Sequence, residues 1–306
     1  MMDLKCLTGK PHRDILSKRH DWRGDIMFKD ILVPWIDDDS EAAPLDAAVA
    51  LAKECEAHVA MLVVVDVPAP MPSDWGAMAY DLYARLHEEA RARAQKKAED
   101  LRARFVNLDA PFEVRMAEAL SLYPSNTIAM HARYADLTVL SSVPQGSAEA
   151  GLRHDAFHAA LLQSGQPVLV MPPKATLALT PKKAVIAWKP TRESSRAVRD
   201  AMPFLHAADS VDVLVIDPKV GEAAHGGEPG ADLATHLARH GLDVEVVVRP
   251  SMNFSVAYAL LDYARQVGAD LIVAGGYGRS RLREAMLGGV TRELLQTTHL
   301  PVLFAH

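Results

Sequence analysis

The residues with the clearest chemical potential are glycines close to the end of the chain. The stretch 271–295 reads LIVAGGYGRSRLREAMLGGVTRELL, in which an apolar strand is followed by a loop and then by a helix that begins at about Val290. The chemistry of this stretch depends on Gly275, Gly278, Gly288 and Gly289. Glycine lets a backbone approach a ligand closely, and the N–H groups at a helix start attract anions. The stretch therefore predicts an anion site, most naturally one for phosphates.

Other combinations of residues carry less chemical information. The glycine spacing fits neither GxxxxGK[ST] nor GxGxxG, so neither of those phosphate-binding mechanisms is implied. Helix-spaced pairs, His154/His158 and His236/His240, could bind a metal but have no third ligand nearby, which favours solvent-facing histidines. The acidic run 37–39 could hold a divalent cation, but a helix-capping loop is favoured. No nucleophile is paired with a base, so no catalytic residue and no metal ligand is predicted.

The elements that must position the glycines are short apolar runs separated by helix-length segments. In the first half the runs are Ile31–Trp35, Val59–Val67, Phe112–Ala117, Leu137–Ser141 and Pro167–Met171. In the second half they are Ala184–Trp188, Val211–Ile216, Val244–Arg249, Leu271–Ala274 and Val302–Ala305. Such runs predict parallel strands buried on both faces. Between the second and third runs of the first half, residues 80–106 predict an amphipathic helix whose apolar face includes Leu82 and Leu86.

The two halves repeat one plan. ADLTVLSS (135–142) matches ADLIVAGG (269–276), and QPVLVMP (166–172) matches LPVLFAH (300–306), each at an offset of 134 residues. This repetition predicts a tandem duplication, with a first domain at 27–173, a linker at 174–181 and a second domain at 182–306. At the same offset the first half replaces the four glycines by Ser141, Pro144, His154 and Asp155. A phosphate site is therefore expected in the second half alone.

Composition narrows the class of protein. The 306 residues include 33 Lys and Arg against 39 Asp and Glu, a net charge of −6 that disfavours nucleic-acid binding. The longest apolar run is too short to span a membrane, so no membrane partner is expected. Two cysteines give no disulfide framework, which favours a cytoplasmic location. Residues 1–26 lack any buried pattern and are interpreted as a disordered or mis-annotated leader, the second alternative placing the start of translation at Met27.

A specific family is indicated by the glycine spacing. G-x2-G-x9-G after the fourth strand of a five-stranded α/β unit, flanked by VTRELL and LPVL, resembles the universal stress protein family, and the resemblance covers about residues 28–306. It implies an α/β fold of two tandem doubly wound domains, each a five-stranded parallel sheet with helices on both faces, of the adenine nucleotide α-hydrolase-like type. It implies a cytoplasmic stress-response protein that is not an enzyme, or that hydrolyses ATP only weakly. The implied ligand is ATP or another adenine nucleotide, with or without Mg²⁺, in the C-terminal domain only.

The resemblance also implies a set of binding residues. Adenine and ribose would contact the ends of the first two strands of the second half, at Ala187, Trp188, Lys189 and Val215. Phosphates would contact the loop and the helix start, at Ala274, Gly275, Tyr277, Gly278, Gly288, Gly289, Val290 and Thr291. Two positions depart from the family pattern. Lys189 stands where an Asp is usual, and Gly289 where a Ser or Thr is usual, which removes a sugar acceptor and a phosphate donor.

Partners and alternatives follow from the same resemblance. The final strands of the two halves would pair within the chain, through Val168, Val170, Val302 and Phe304, in place of the homodimer of single-domain relatives; a homodimer of the whole chain stays open. One alternative is a scaffold of the same fold without a ligand. Another is an enzyme of the wider α-hydrolase group. The latter is disfavoured, because WIDDDS and WKPTRE after the first strands lack the SGGxDS-type and HIGH-type motifs of those enzymes.

Overall fold

The fold was analysed in a computed structural model. It describes residues 28–36, 42–67, 76–107, 110–120, 124–143, 146, 150–218, 228–277 and 289–306. The predicted leader, the acidic run 37–39, Pro144, Gly278 and Gly288 lie outside the described residues. In the described part of the chain, no helix combines the length and apolar character needed to cross a bilayer.

Strands and helices alternate along the chain. The first unit contains β1 (Asp30–Trp35), α1 (Ala42–Cys55), β2 (His58–Val67), α2 (Gly76–Phe105), β3 (Phe112–Leu120), α3 (Pro124–Ala132), β4 (Leu137–Ser141), α4 (Ala150–Gln163) and β5 (Val168–Met171). The second contains β6 (Lys183–Ala187), α5 (Arg192–Asp200), α6 (Met202–Ala207), β7 (Ser210–Ile216), α7 (Ala231–Arg239), β8 (Val244–Arg249), α8 (Val256–Gln266), β9 (Leu271–Gly275), α9 (Gly289–Thr297) and β10 (Val302–Ala305). The predicted α/β class is confirmed, and each predicted strand is present.

All the strands belong to one sheet. Their order is β3-β2-β1-β4-β5-β10-β9-β6-β7-β8, so each unit is a parallel doubly wound sheet with the same internal order. Among the described strands, β5 and β10 are the one antiparallel pair, with Leu169 opposite Leu303 and Val170 opposite Val302. Because Leu169 and Leu303 are equivalent positions of the repeat, the junction has local pseudo-twofold symmetry. The two hydrophobic cores therefore continue from one unit into the other.

An aspartate fixes the same strand register in both units. Asp136 Oδ2 accepts hydrogen bonds from the backbone N–H groups of Lys29 and Asp30, at 2.7 and 3.0 Å. Asp270 Oδ2 accepts the equivalent bonds from residues 182 and 183, at 2.7 and 3.4 Å. These bonds connect the start of the first strand of each unit to the start of its fourth. The repeated ADL tripeptide of the sequence is thus a structural signature of the unit.

Two details of the sequence interpretation are wrong. Strand β8 is not buried on both faces, because it is the edge of the sheet and Val248 is 50% exposed. Leu82 and Leu86 do not belong to the inward face of α2, since their exposures are 40% and 38%. A helix of 30 residues is about 45 Å long, longer than the strands beneath it. The buried face of α2 is instead formed by Ala90, Ala94, Ala98, Leu101 and Phe105.

Candidate functional site

The candidate site lies at the carboxyl ends of β6 and β9, where the strand order of the second unit reverses. Ala187 and Ala274 are opposite each other in the parallel pairing of these strands. Trp188 follows β6 and donates its N–H to the Leu214 carbonyl at 2.9 Å, which brings the end of β7 to the same edge. Crevices at such reversal points are where ligands bind in open α/β sheets.

The predicted adenine and ribose contacts differ in how accessible they are. Lys189 is exposed, and Trp188 is half-buried with its side chain against the core. Val215 is fully buried, so only its backbone is available at the edge. Thr191 caps the following helix, accepting a hydrogen bond from the Ser194 N–H at 3.3 Å. Ala187, Trp188 and Lys189 thus lie at the carboxyl end of β6, and Val215 contributes no side chain to this edge.

Gly275 serves helix packing. A Cβ atom at this position would lie 2.6 Å from the Ser194 backbone nitrogen, so only glycine lets the start of α5 lie on the end of β9. The glycine spacing predicted close approach of a ligand to this residue. In the structure, the missing side chain of Gly275 lets helix α5 approach closely, so the start of α5 lies beside the end of β9.

Tyr277 and Thr291 are buried, in contrast to Gly289 and Val290. Tyr277 has a left-handed backbone with φ of 48°, and its ring is only 7% exposed. Its N–H donates to Thr291 Oγ1 at 3.4 Å, and Thr291 is 5% exposed. The resemblance implies a phosphate contact for Tyr277. The structure places its ring in the interior.

The start of α9 is open to solvent. Gly289 and Val290 are exposed, and a Cβ atom at Gly289 would have no atom within 4 Å. The first N–H groups of a helix have no partner within that helix, and the helix dipole adds positive charge there. This end of α9 can therefore accept an anionic group such as a phosphate.

In the first unit, the position equivalent to the start of α9 lies inside a helix. Helix α4 begins at Ala150, so Asp155, which corresponds to Gly289, lies within the helix and not at its start. Arg153 is buried, and its Nη1 donates to Ser141 Oγ at the end of β4, at 3.4 Å. In α4, the backbone N–H groups equivalent to those near Gly289 therefore lie within the helix, where they are hydrogen-bonded to the preceding turn.

A buried carboxylate near the site was not anticipated from the sequence. Glu193 is 5% exposed in the first turn of α5. Burial raises its pKa, but hydrogen bonds from its own N–H and from Thr191, with the nearby charges of His306 and Arg192, outweigh burial and hold the pKa below its usual value. The signal in the sequence was the T-x-x-S helix start at 191–194.

Three histidines lie near one another at α6 and α7. Within the described ranges, no group of three or more His, Cys, Asp or Glu residues is arranged to hold a metal ion. The rings of His236 and His240 lie 4.7 Å apart, and His206 lies 6.5 Å from His240, all of them on or beside α6 and α7.

Comparisons with known proteins agree with this architecture. The model of the universal stress protein family matches residues 182–306. The chain is 36% identical over 66 residues to universal stress protein YxiE of Bacillus subtilis (strain 168), a match that spans 43% of that relative's length.

Solved structures extend the likeness to both units. A universal stress protein from Archaeoglobus fulgidus DSM 4304 is 15% identical with a TM-score of 0.66, over 90% of this chain and 95% of that one. A putative universal stress protein from Pseudomonas aeruginosa UCBPP-PA14 is 17% identical with a TM-score of 0.56, over 91% and 93%. At these identities the likeness concerns the fold. The second unit thus resembles the universal stress protein family in sequence over residues 182–306, and the fold of the whole chain is similar to that of solved universal stress proteins.

Proposed function

We propose that the second unit binds an adenine nucleotide at the reversal point between β6 and β9. The observation that carries the proposal is the open start of α9 at Gly289, beside an edge where Ala187 and Ala274 are adjacent. The phosphates would contact the first N–H groups of α9. Adenine and ribose would lie along the ends of β6 and β7, beside Trp188 and Lys189. The Lys189 ammonium would attract phosphate charge in place of the missing sugar acceptor.

The first unit would not bind a nucleotide. Its helix covers the position that corresponds to the open start of α9, and the exposed Asp155 carboxylate would repel a phosphate there. We therefore assign the first unit a structural role and expect one nucleotide per chain.

The protein would act by binding and not by turnover. The ligand would be ATP or another adenine nucleotide, with or without Mg²⁺, in a cytoplasmic stress response. Incubation of the full chain with ATP, followed by chromatography of the nucleotides, tests this directly. We expect ATP to remain intact over minutes, whereas multiple turnovers to ADP would assign an enzymatic role.

The pairing of β5 with β10 would persist in solution. We propose that it takes the place of a homodimer contact between single units, because both strands are fully buried along the pairing. A chain that is monomeric in analytical ultracentrifugation supports this arrangement.

Substitution at Gly289 tests the nucleotide site. Gly289→Glu places a carboxylate at the start of α9 without a steric clash, so it should abolish binding by charge alone. Gly151→Glu is the matched control, since Gly151 is also near a helix start, also has open space, and belongs to the first unit. Binding is measured by calorimetry and by thermal shift with ATP, ADP and AMP, each with and without Mg²⁺.

The expected pattern is specific. At 100 times its dissociation constant, a nucleotide should stabilise the wild type and Gly151→Glu by about 2.7 kcal/mol. Gly289→Glu should show no stabilisation. If no nucleotide shifts the melting temperature of the wild-type protein, the proposal is wrong and the alternative of a scaffold without a ligand gains support.

A further inference from the structure

The two units contact each other at Tyr277, close to the candidate site. The Tyr277 ring, two residues after the end of β9, packs on α4 of the first unit. Its centroid lies 6.1 Å from that of Phe157 and 5.5 Å from that of His158. Phe157 is 1% exposed and also packs on Phe304 of β10 at 5.3 Å. The first unit thus forms one wall of the pocket that holds Tyr277.

Gly276 is confined by the same helix. A Cβ atom on Gly276 would lie 2.5 Å from Leu161 Cδ2, so α4 touches the backbone of this segment. The Gly276 N–H donates to the Ala305 carbonyl at 2.8 Å, and its carbonyl lies 2.9 Å from His306 Nδ1. The backbone after β9 is therefore held by β10 on one side and by the first unit on the other.

The equivalent contact, between Val143 of the first unit and α9 of the second, involves different residue types. At the offset of the repeat, Tyr277 corresponds to Val143 and Phe157 corresponds to Thr291. The Val143 N–H donates to the Leu295 carbonyl at 2.8 Å, so the two contacts are related by the pseudo-twofold axis. Only the contact made by α4 on the second unit's segment has aromatic rings on both sides. The pair of units is asymmetric at this point.

We infer that α4 of the first unit positions the segment 275–277 and, through the hydrogen bond from the Tyr277 N–H to Thr291 Oγ1, the start of α9 for nucleotide binding by the second unit. A non-glycine residue adopts a left-handed backbone only where its surroundings hold it, and the surroundings of Tyr277 include Phe157, His158 and Thr291. Loss of the α4 contact lowers the fraction of molecules with a competent segment, and the apparent affinity falls by that fraction. The inference rests on the proposed function, and it makes the first unit a positioning device.

Two leucine substitutions test the inference in the full chain. Leu161→Ala removes the side chain against Gly276, and Leu45→Ala is the matched control in α1; both leucines are 1% exposed in the first unit. Each opens a core cavity and should lower the melting temperature. We expect Leu161→Ala to weaken ATP binding at least tenfold and Leu45→Ala to leave it within about twofold. Equal affinities in the two variants overturn the inference.

A second variant and a measurement without ligand make the result decisive. His158→Ala removes one ring from Tyr277 at a half-buried position, and it should weaken ATP binding even if Leu161→Ala does not fold. Hydrogen exchange of the Gly276 and Tyr277 amides, with no nucleotide present, should be faster in Leu161→Ala than in Leu45→Ala. If the wild type binds no nucleotide, the proposed function fails, and equal exchange in the two variants would show in addition that α4 does not hold the segment.

Discussion

At the scale of single residues, a buried ion pair connects three elements of the second unit. Asp212 in β7 is 1% exposed, and its Oδ1 lies 2.8 Å from the Lys183 Nζ of β6. The Tyr263 hydroxyl of α8 donates to Asp212 Oδ2 at 2.7 Å. Burial, together with the bond to Asp212 and its charge, raises the pKa of Tyr263. The phenol therefore stays protonated and is a permanent donor to the carboxylate.

Removing that donor should destabilise the protein. Tyr263→Phe keeps the ring but leaves one oxygen of a buried carboxylate without its donor, which costs about 1–3 kcal/mol. The free energy of unfolding is measured by urea titration followed by circular dichroism. Tyr258→Phe on the same helix is the control, because Tyr258 is 48% exposed and should change stability by less than about 0.5 kcal/mol. Equal effects of the two substitutions would contradict this role of the hydroxyl.

A histidine should make stability depend on pH. Burial, and next the charge of His240, lower the pKa of His206 below 6.5. The unfolded chain therefore binds this proton more readily than the folded protein. The stabilising contribution is complete above about pH 6.5 and is lost as the pH falls through the folded pKa. Between pH 8 and pH 5, the melting temperature of His206→Gln should fall less than that of the wild type. If the melting temperatures of the two proteins fall equally over this range, His206 does not contribute to the pH dependence of stability.

At the scale of elements, the sequence was most informative where burial is uniform. Val/Ile/Leu runs predicted every strand because central parallel strands are buried on both faces. The same reasoning was wrong about the burial of β8, since a pattern of residue types does not reveal which strand lies at the edge. For α2 the apolar spacing was real, but the length of the helix relative to the sheet decides which turns are covered. The burial of Tyr277 could not be predicted, because its neighbours Phe157 and His158 are far away in the sequence.

The pairing of β5 with β10 should determine how the protein melts. Val170→Asp combined with Phe304→Asp places two carboxylates on one fully buried face of this pairing. Because an unpaired buried charge is costly, we expect the joint sheet to separate into its units. Scanning calorimetry should then resolve two transitions in place of one. Val248→Asp at the exposed edge strand β8 is the control and should retain a single transition.

At the scale of the whole molecule, two units of one fold have different surfaces at equivalent positions. The start of α9 is open, whereas α4 runs through the corresponding position and contacts the other unit. The sheet itself is nearly symmetric, with Leu169 facing Leu303 at its centre. The two units therefore differ at the carboxyl edge, where our proposals place the ligand.

The antiparallel junction between β5 and β10 has a consequence for how such a chain can evolve. In a homodimer, every substitution appears twice and must suit both sides of a self-complementary contact. Once the two copies are joined in one chain, a change on one side leaves the other untouched. Tyr277 could then enlarge opposite Phe157 while Val143 and Thr291 stayed small. A chain that contains both copies can therefore carry different residues at equivalent positions, as it does here at Tyr277 and Val143.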